Sequence, residues 1–448
     1  MDIEEYAKRS IIENKPEEEI IDKLSEIILY YKDINESKAQ KLAKAVVDEV
    51  KTTLNMNNKL TEYYKTEISM GEFGVGSRGR GDFYVHSKIA EIIKNTSTDS
   101  IVNPTAQDDG GVVKVDDTYY ITTAIDGIHS RLSDYPFLAG FHTARATLRD
   151  VCVMGANPVA LLSDIHLADD GDVSKLLDFT AGICAVSELC DVPLVCGSTL
   201  RIGGDMVLGS RLVGGVGAVG SSKNIPQARS NAQIGDAILM TEGCGGGTIT
   251  TTAIYNDYQD VLEKTLNVEF IKASQLLNNY EKIEDIHAMT DITNGGLIGD
   301  CNEINKTTGL GIHLNYDKIK NLIDSRVFSM LDTLDIDALG VSIDSLMIIV
   351  DAKAQEDILK LLTKNNIKCD IIGEVTDTSK TMIDYEDKTE ELKPKFREAA
   401  YTPIKKVVDN LYEENYDEDI KIIDKATQSA INKKNEVVKH IKERKNIN

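Results

Sequence analysis

Several short segments of this sequence combine carboxylates with glycines in a way that can hold a hard cation beside a phosphate. Asp108-Asp109-Gly110-Gly111 places adjacent carboxylates at the entry to a β-rich run. Carboxylate oxygens suit Mg²⁺, and small residues beside them let phosphate oxygens approach. The competing reading is a solvated turn, because Asp and Gly are common turn formers. Thr122-Thr-Ala-Ile-Asp126-Gly127-Ile-His129 sets another carboxylate at the end of a β-rich stretch. Arg149-Asp150 sits in a helical stretch beside the apolar Val151, Val153 and Met154. An acid on such a face is costly unless it is paired or on a metal, and Arg145 or Arg149 is the alternative partner.

Other segments offer backbone N–H groups. Cys196-Gly197-Ser198-Thr199 is expected to end a strand, where such groups can cradle phosphate. Met289-Thr-Asp291-Ile-Thr-Asn294-Gly295-Gly296 is expected to end a short strand and begin a helix, whose free N–H groups favour anions. Either segment also reads as an ordinary glycine turn. Gly74-Val-Gly76-Ser-Arg78-Gly79 matches G-x-G-x-x-G, but helical rather than strand sequence precedes it, so the dinucleotide reading is rejected. A flap over phosphates, with Gly76, Arg78, Gly79 and Arg80, fits better. No P-loop or G-x-S-x-G motif occurs, and the histidines are scattered rather than clustered for zinc. A structural role is expected for His129.

The elements that must position these groups follow from the wider pattern. At 448 residues, with a 42% apolar and 27% charged share, the chain is globular and long enough for two or three domains. A net charge of -23 repels phosphate backbones and argues against a nucleic-acid partner, though not against nucleotides bridged by Mg²⁺. The seven cysteines form no C-x-x-C pair and read as small core residues. No apolar stretch approaches the roughly 20 residues of a membrane span. The acidic start lacks a signal pattern, so a cytoplasmic location is expected.

Residues 1–67 read as a helical appendage, with Ile20, Ile21, Leu24, Ile27 and Ile28 at helical spacing. Gly71 to Gly81 reads as a flexible loop, followed by a helix over 84–94. Strand and helix patterns then alternate through residues 68–222. A polar linker at 221–233 leads to a second alternating half, 223–395, with a loop expected over 288–297. The charged stretch 396–448 reads as a helical extension. This is an α/β (α+β) organisation of two successive halves between helical ends.

The order of these segments resembles one superfamily: aminoimidazole ribonucleotide synthetase, formylglycinamidine ribonucleotide synthetase, thiamine monophosphate kinase, selenophosphate synthetase and the hydrogenase-maturation dehydratase. Gln107-Asp-Asp-Gly-Gly-Val-Val resembles its "GDDAAV" segment, and Arg149-Asp150-Val-Cys-Val-Met-Gly155-Ala-Asn-Pro158 its "SDI-AAMGA-x-P" segment. Val195-Cys-Gly197-Ser-Thr199, Gly235-Asp236-Ala-Ile, Met289-Thr-Asp291 to Gly296 and Ile371-Ile-Gly-Glu-Val375 resemble its "GGDT", "PGD-x-I", "MTDxTxGGL" and "IGEV" segments. Ser198 departs from the pattern, standing where "GGDT" has Asp. Asp126-Gly-Ile with Asp134-Tyr-Pro-Phe-Leu-Ala-Gly is most similar to synthetase-related members outside the named enzymes.

The resemblance implies a two-domain aminoimidazole ribonucleotide synthetase-like fold. Its N-terminal domain would pair with a twin into a dimeric β-barrel beside a C-terminal α/β layer. It implies ATP and Mg²⁺, with Asp108, Asp109, Asp126 and Asp150 as metal ligands and Asp108, Asp109 and Asp150 as catalytic groups. Gly197, Ser198, Thr199, Asp291, Asn294 and Gly295 would line the nucleotide. The expected function is phosphoryl transfer that activates a small metabolite, by a homodimeric kinase, synthetase or cyclo-ligase. A nucleotide-binding regulatory or assembly subunit without turnover is the alternative.

Overall fold

A computed structural model describes residues 1–76, 80–96, 100–106, 108–293, 295–393, 401–408, 411 and 415–445. The chain opens with helices α1 (Ile3–Ile12), α2 (Glu17–Tyr31) and α3 (Glu36–Leu54). The Asp2 and Asn35 side chains accept backbone N–H groups at the starts of α1 and α3, satisfying donors that lack helical partners. The periodic residues Ile20, Leu24 and Ile28 pack on Ala43, Val47 and Val50 in a core of their own, closed by Leu208. Regular helix stops at Leu54 rather than running to 67.

Helix α4 (Met70–Phe73) and helix α5 (Arg80–Ile93) replace much of the loop expected over 71–81. Ser69 and Glu72 form a reciprocal capping box, which lets so short a helix start. The Asp82 side chain, 2% exposed, accepts from the Gly76 N–H at 2.8 Å and ties the glycine turn to α5.

The first sheet comprises β1 (Ser100–Val102), β2 (Gly111–Lys114), β3 (Tyr120–Gly127), β4 (Asn157–Leu167), β5 (Leu194–Arg201) and β6 (Leu212–Ser222), ordered β1-β2-β3-β6-β4-β5. Only β4 and β5 run parallel. Helix α6 (Pro136–Val153) buries Ala144, Leu148 and Val151 on this sheet, and α7 (Ser174–Cys190) packs across α6. The strand expected to end at Cys196 continues to Arg201, because Gly197, Ser198 and Thr199 stay in register with Ser163, Asp164 and Ile165. A Cβ on Gly197 would lie 2.6 Å from the Ser163 hydroxyl, so glycine permits that close approach.

The second half contains β7 (Ala237–Thr241), α8 (Gly247–Tyr255), α9 (Leu262–Thr265), α10 (Glu269–Asn278), β8 (Ile286–Ile292), α11 (Gly296–Thr308) and β9 (Gly311–Asn315). It continues with α12 (Tyr316–Asn321), α13 (Ser325–Thr333), β10 (Ser345–Val350), α14 (Gln355–Lys364), β11 (Cys369–Thr376), β12 (Thr381–Asp384) and β13 (Thr389–Glu391). The sheet order is β13-β12-β9-β11-β7-β10-β8, with β9 and β12 parallel. Alternate residues of β7 and β10 enter different cores: Ile238 and Met347 one, Leu239 and Ile348 the other. Burial on both faces explains their unbroken apolar runs. It also explains why β8 occupies much of the loop expected at 288–297: nearly all of it is buried.

Helix α15 (Pro403–Val408) and helix α16 (Tyr416–Lys445) follow. Helix α16 lies on α4 and α5. Its Tyr416 ring stacks on Phe73 at 5.5 Å, and Asp424 accepts from the Tyr84 hydroxyl at 2.7 Å. Among the described residues no helix is long and apolar enough to cross a membrane.

Candidate functional site

A cleft of about 900 Å³ is lined by the two halves together. Asp108 and Asp109 reach it from the turn before β2, Asp126 from β3, Asp150 from α6 and Asp291 from β8. The carboxylates singled out in the sequence therefore share one wall space, and Gly76 borders it too. Gly197, Ser198 and Thr199 lie instead on the exposed edge strand β5 and do not border this cleft. Gly295 starts α11 at φ +92°, a left-handed conformation that favours glycine. The Arg80 guanidinium sits 3.4 Å above the Tyr416 ring and 3.6 Å from Asp417, facing α16. Asn294, Arg78 and Gly79 lie outside the described residues.

Arg229, 1% exposed, organises the acidic pair. Its backbone N–H donates to Asp108 at 3.0 Å, and its Nη2 donates to Asp109 at 2.6 Å and to the Thr290 hydroxyl at 2.7 Å. Thr290 donates onward to Asp109 at 3.0 Å. Glu303 and Asp300 of α11 approach the same guanidinium at 2.9 and 3.7 Å. Burial works against that charge, but Asp109, Glu303, Asp108 and Asp300 outweigh it and hold Arg229 firmly protonated.

A second network hangs from α6. Arg149 pairs with Asp291 and with Asp344, and Arg145 also pairs with Asp344. Arg145 further donates to the carbonyls of Thr265, Asn267 and Gly245 at 2.8, 2.8 and 3.0 Å. Asp150 stands 4.0 Å from Arg149, so the pairing alternative weighed for it is realised only loosely. Asp344 holds φ +62°, an uncommon conformation for a non-glycine residue, at the start of β10.

Carboxylates outnumber guanidiniums across these networks, and the imbalance shows in their titration. Burial, then Asp291 and Asp126, pushes the Asp150 carboxyl well above its usual range. Burial, opposed by Arg229 but reinforced by Asp291, Asp108 and Glu303, pushes Asp109 up to about 7. Asp108 is raised as well, chiefly by burial. As placed, no three His, Cys, Asp or Glu side chains among the described residues form a ready metal cage.

Arg229, Asp300, Glu303 and Asp344 escape a sequence reading. Arg229 lies in what reads as a polar linker, and Asp300 and Glu303 read as the polar part of a helix. A weak signal existed: Asp300 and Glu303 are three apart, hence on one helix face.

Residues 107–220 match the family described as AIR synthase related protein, N-terminal domain, and residues 233–386 match its C-terminal domain. The chain belongs to the AIR synthase related family. Among relatives, an uncharacterized protein of Methanocaldococcus jannaschii is 50% identical over 99% of both chains. A selenide, water dikinase of Clostridium botulinum is 25% identical, covering 55% of this chain and 67% of that protein. The crystal structure of hydrogenase maturation protein HypE in complex with ATP shares the fold at TM-score 0.52 and 19% identity, over 62% of this chain and 86% of that one. In this AIR synthase related protein the cleft lies where the two matched segments meet: Asp108, Asp109, Asp126 and Asp150 belong to the first, Asp291 to the second.

Proposed function

We propose that the chain is an ATP- and Mg²⁺-dependent enzyme that activates a small metabolite by phosphoryl transfer, of kinase, synthetase or cyclo-ligase type. The observation that carries this reading is the convergence of Asp108, Asp109, Asp126, Asp150 and Asp291 on one cleft with too few cations to neutralise them. Such a donor set fits a hard divalent cation, which would offset the mutual repulsion and bridge to phosphate oxygens. Family membership and a relative named as a dikinase support the same reading.

In this assignment Asp108, Asp109, Asp126 and Asp150 hold Mg²⁺, and Asp291, Asn294 and Gly295 lie along the nucleotide. Gly76, Arg78 and Gly79 are assigned to the phosphate flap; Arg80 is not, because it stacks on Tyr416 beside Asp417 and does not border the cleft. Arg229 holds Asp108 and Asp109 in place from behind. When bound, Mg²⁺ would supply charge neutralisation on the phosphates; the chain's own residues supply position and exclude water. The edge strand β5 exposes Val195 and Leu200 at 58% and 57%, a liability in a monomer. We assign it to a homodimer contact. The nucleotide role of Gly197, Ser198 and Thr199 depends on that contact.

The test is Mg²⁺-dependent ATP turnover with a pooled metabolite extract. Asp109→Asn and Asp150→Asn are each expected to lower it on the order of 10²-fold or more. Unchanged turnover in both variants would sink the assignment. Tight ATP binding with no turnover under any condition would favour a nucleotide-binding regulatory subunit instead.

A further inference from the structure

Part of the cleft wall comes from residues that precede both family-matched segments. Gly71 lies in α4, Val75 and Gly76 follow it, and His86 comes from α5. These elements form one unit. A Cβ on Gly81 would lie 1.8 Å from the Phe73 carbonyl oxygen, and Asp82 of α5 accepts from the Gly76 N–H. Toward the first sheet the packing of this unit is open. A cavity of about 720 Å³ lies between Phe83, Ile89 and Ile93 of α5 and Leu162, Ala218 and Val219 of β4 and β6. Lys306 of α11 reaches Phe83, its ammonium 4.3 Å from the ring centre.

Close packing comes instead from α16, which lies beyond the far end of the matched segments. A helix as short as α4 does not hold itself in water. Its Phe73, 8% exposed, stacks on Tyr416 with the ring planes 3° apart. Tyr84 of α5 meets the same Tyr416 ring edge-on at 6.1 Å, and Arg80 lies over it. One α16 side chain thus joins both helices. Farther along, Asp424 accepts from the Tyr84 hydroxyl and pairs with Lys88, each at 2.7 Å. Lys434 then donates to the Ile92 carbonyl at 2.8 Å. These contacts run from Arg80 to Ile92, nearly the whole of α5. Yet no described residue of α16 borders the cleft.

We infer that α16 is a strap that positions the α4–α5 unit, and with it Gly71, Val75, Gly76 and His86, against the cleft. Its aromatic and ionic contacts lie outside the cleft, so they fix that wall without touching a ligand. Docking of α16 and occupancy of the cleft are then coupled, and the coupling is reciprocal. A ligand that binds the positioned wall favours the docked strap by the same factor as the strap favours the ligand. Tyr416 and Asp424 are positioning residues in this scheme. A nucleotide as the ligand rests on the phosphoryl-transfer reading. The strap itself does not.

The experiment follows amide hydrogen exchange in the full-length protein by mass spectrometry, with and without Mg²⁺ and a non-hydrolysable ATP analogue. The analogue is expected to slow exchange in residues 416–434, which do not border the cleft, as well as in α4 and α5. Tyr416→Ala is expected to speed exchange in α4 and α5 about tenfold and to weaken the analogue about tenfold. Tyr416→Phe keeps the stacked ring and should leave both unchanged. Asp424→Ala, at a half-exposed side chain, is expected to act in the same direction as Tyr416→Ala, and it decides the matter if that variant does not fold. Faster exchange confined to α16, with α4, α5 and the analogue's affinity unchanged, would overturn the inference. So would analogue binding that leaves exchange in α16 untouched. If the analogue does not bind the wild-type protein, the proposed function fails, and the strap stands or falls on whether the substitutions loosen α4 and α5.

Discussion

Arg229 and Asp109 lie 120 positions apart and share a hydrogen bond of 2.6 Å between Nη2 and Oδ1. The bond ties the linker between the matched segments to the acidic turn before β2. It also places one buried cation among Asp108, Asp109, Asp300 and Glu303.

Removing that cation leaves the carboxylates buried without their shared partner. Arg229→Met is expected to cost about 3–5 kcal/mol, measured by denaturant unfolding. A loss below about 1 kcal/mol would show that the ring of carboxylates protonates freely and needs no clamp.

His129 sets an acid limit. Its imidazole is held down to about 4 in the fold, by burial and then by Lys405 and Arg131, against a usual value near 6.5. A depressed folded value means the contribution to stability is present above about 6.5 and is lost as pH falls toward 4. His142, also depressed by burial, adds in the same direction. Unfolding free energy should therefore fall through this window by about 1.4 kcal/mol per pH unit for each such group. His129→Gln is expected to flatten the slope by one group's share; an unchanged slope would refute the assignment.

The α6–α7 crossing depends on two glycines. A Cβ at Gly140 would lie 2.0 Å from the Phe179 carbonyl oxygen, and one at Gly182 would lie 2.1 Å from that of Phe137. Backbone cannot yield as a side chain can, so Gly182→Ala should force the helices apart at a cost of about 1–3 kcal/mol. Helix α6 carries Arg145, Arg149 and Asp150, so nucleotide binding should weaken with stability. A neutral thermal shift would contradict the close crossing.

The exposed edge of β5 offers a test of assembly. Leu200→Lys puts a charge where an apolar contact is expected, and should shift the protein to a monomer by light scattering. A wild-type monomer at micromolar concentration would rule out the homodimer outright.

The sequence by itself identified the carboxylates Asp108, Asp109, Asp126, Asp150 and Asp291, and the order of motifs that resembles the family. It also set Ile20, Leu24 and Ile28 at helical spacing and put Arg149-Asp150 in a helical stretch, as α2 and α6 have them, because periodic burial is written locally in residue type. It did not carry β5 past Cys196 or β8 through Ile292. Those extents come from pairing with β4 and β10, strands distant in the chain. Arg229 reads as linker, Asp344 as a strand start and Lys405 as surface charge, since none has a local pattern that names its partner. Tertiary structure alone decided that Arg229 clamps Asp109, that Asp344 joins Arg145 to Arg149, and that Lys405 faces the same cleft as Asp150. The physical reason is that a buried charge is defined by whatever neutralises it: Arg229 meets Asp109, and Arg145 and Arg149 meet Asp344, only once distant parts of the chain fold together.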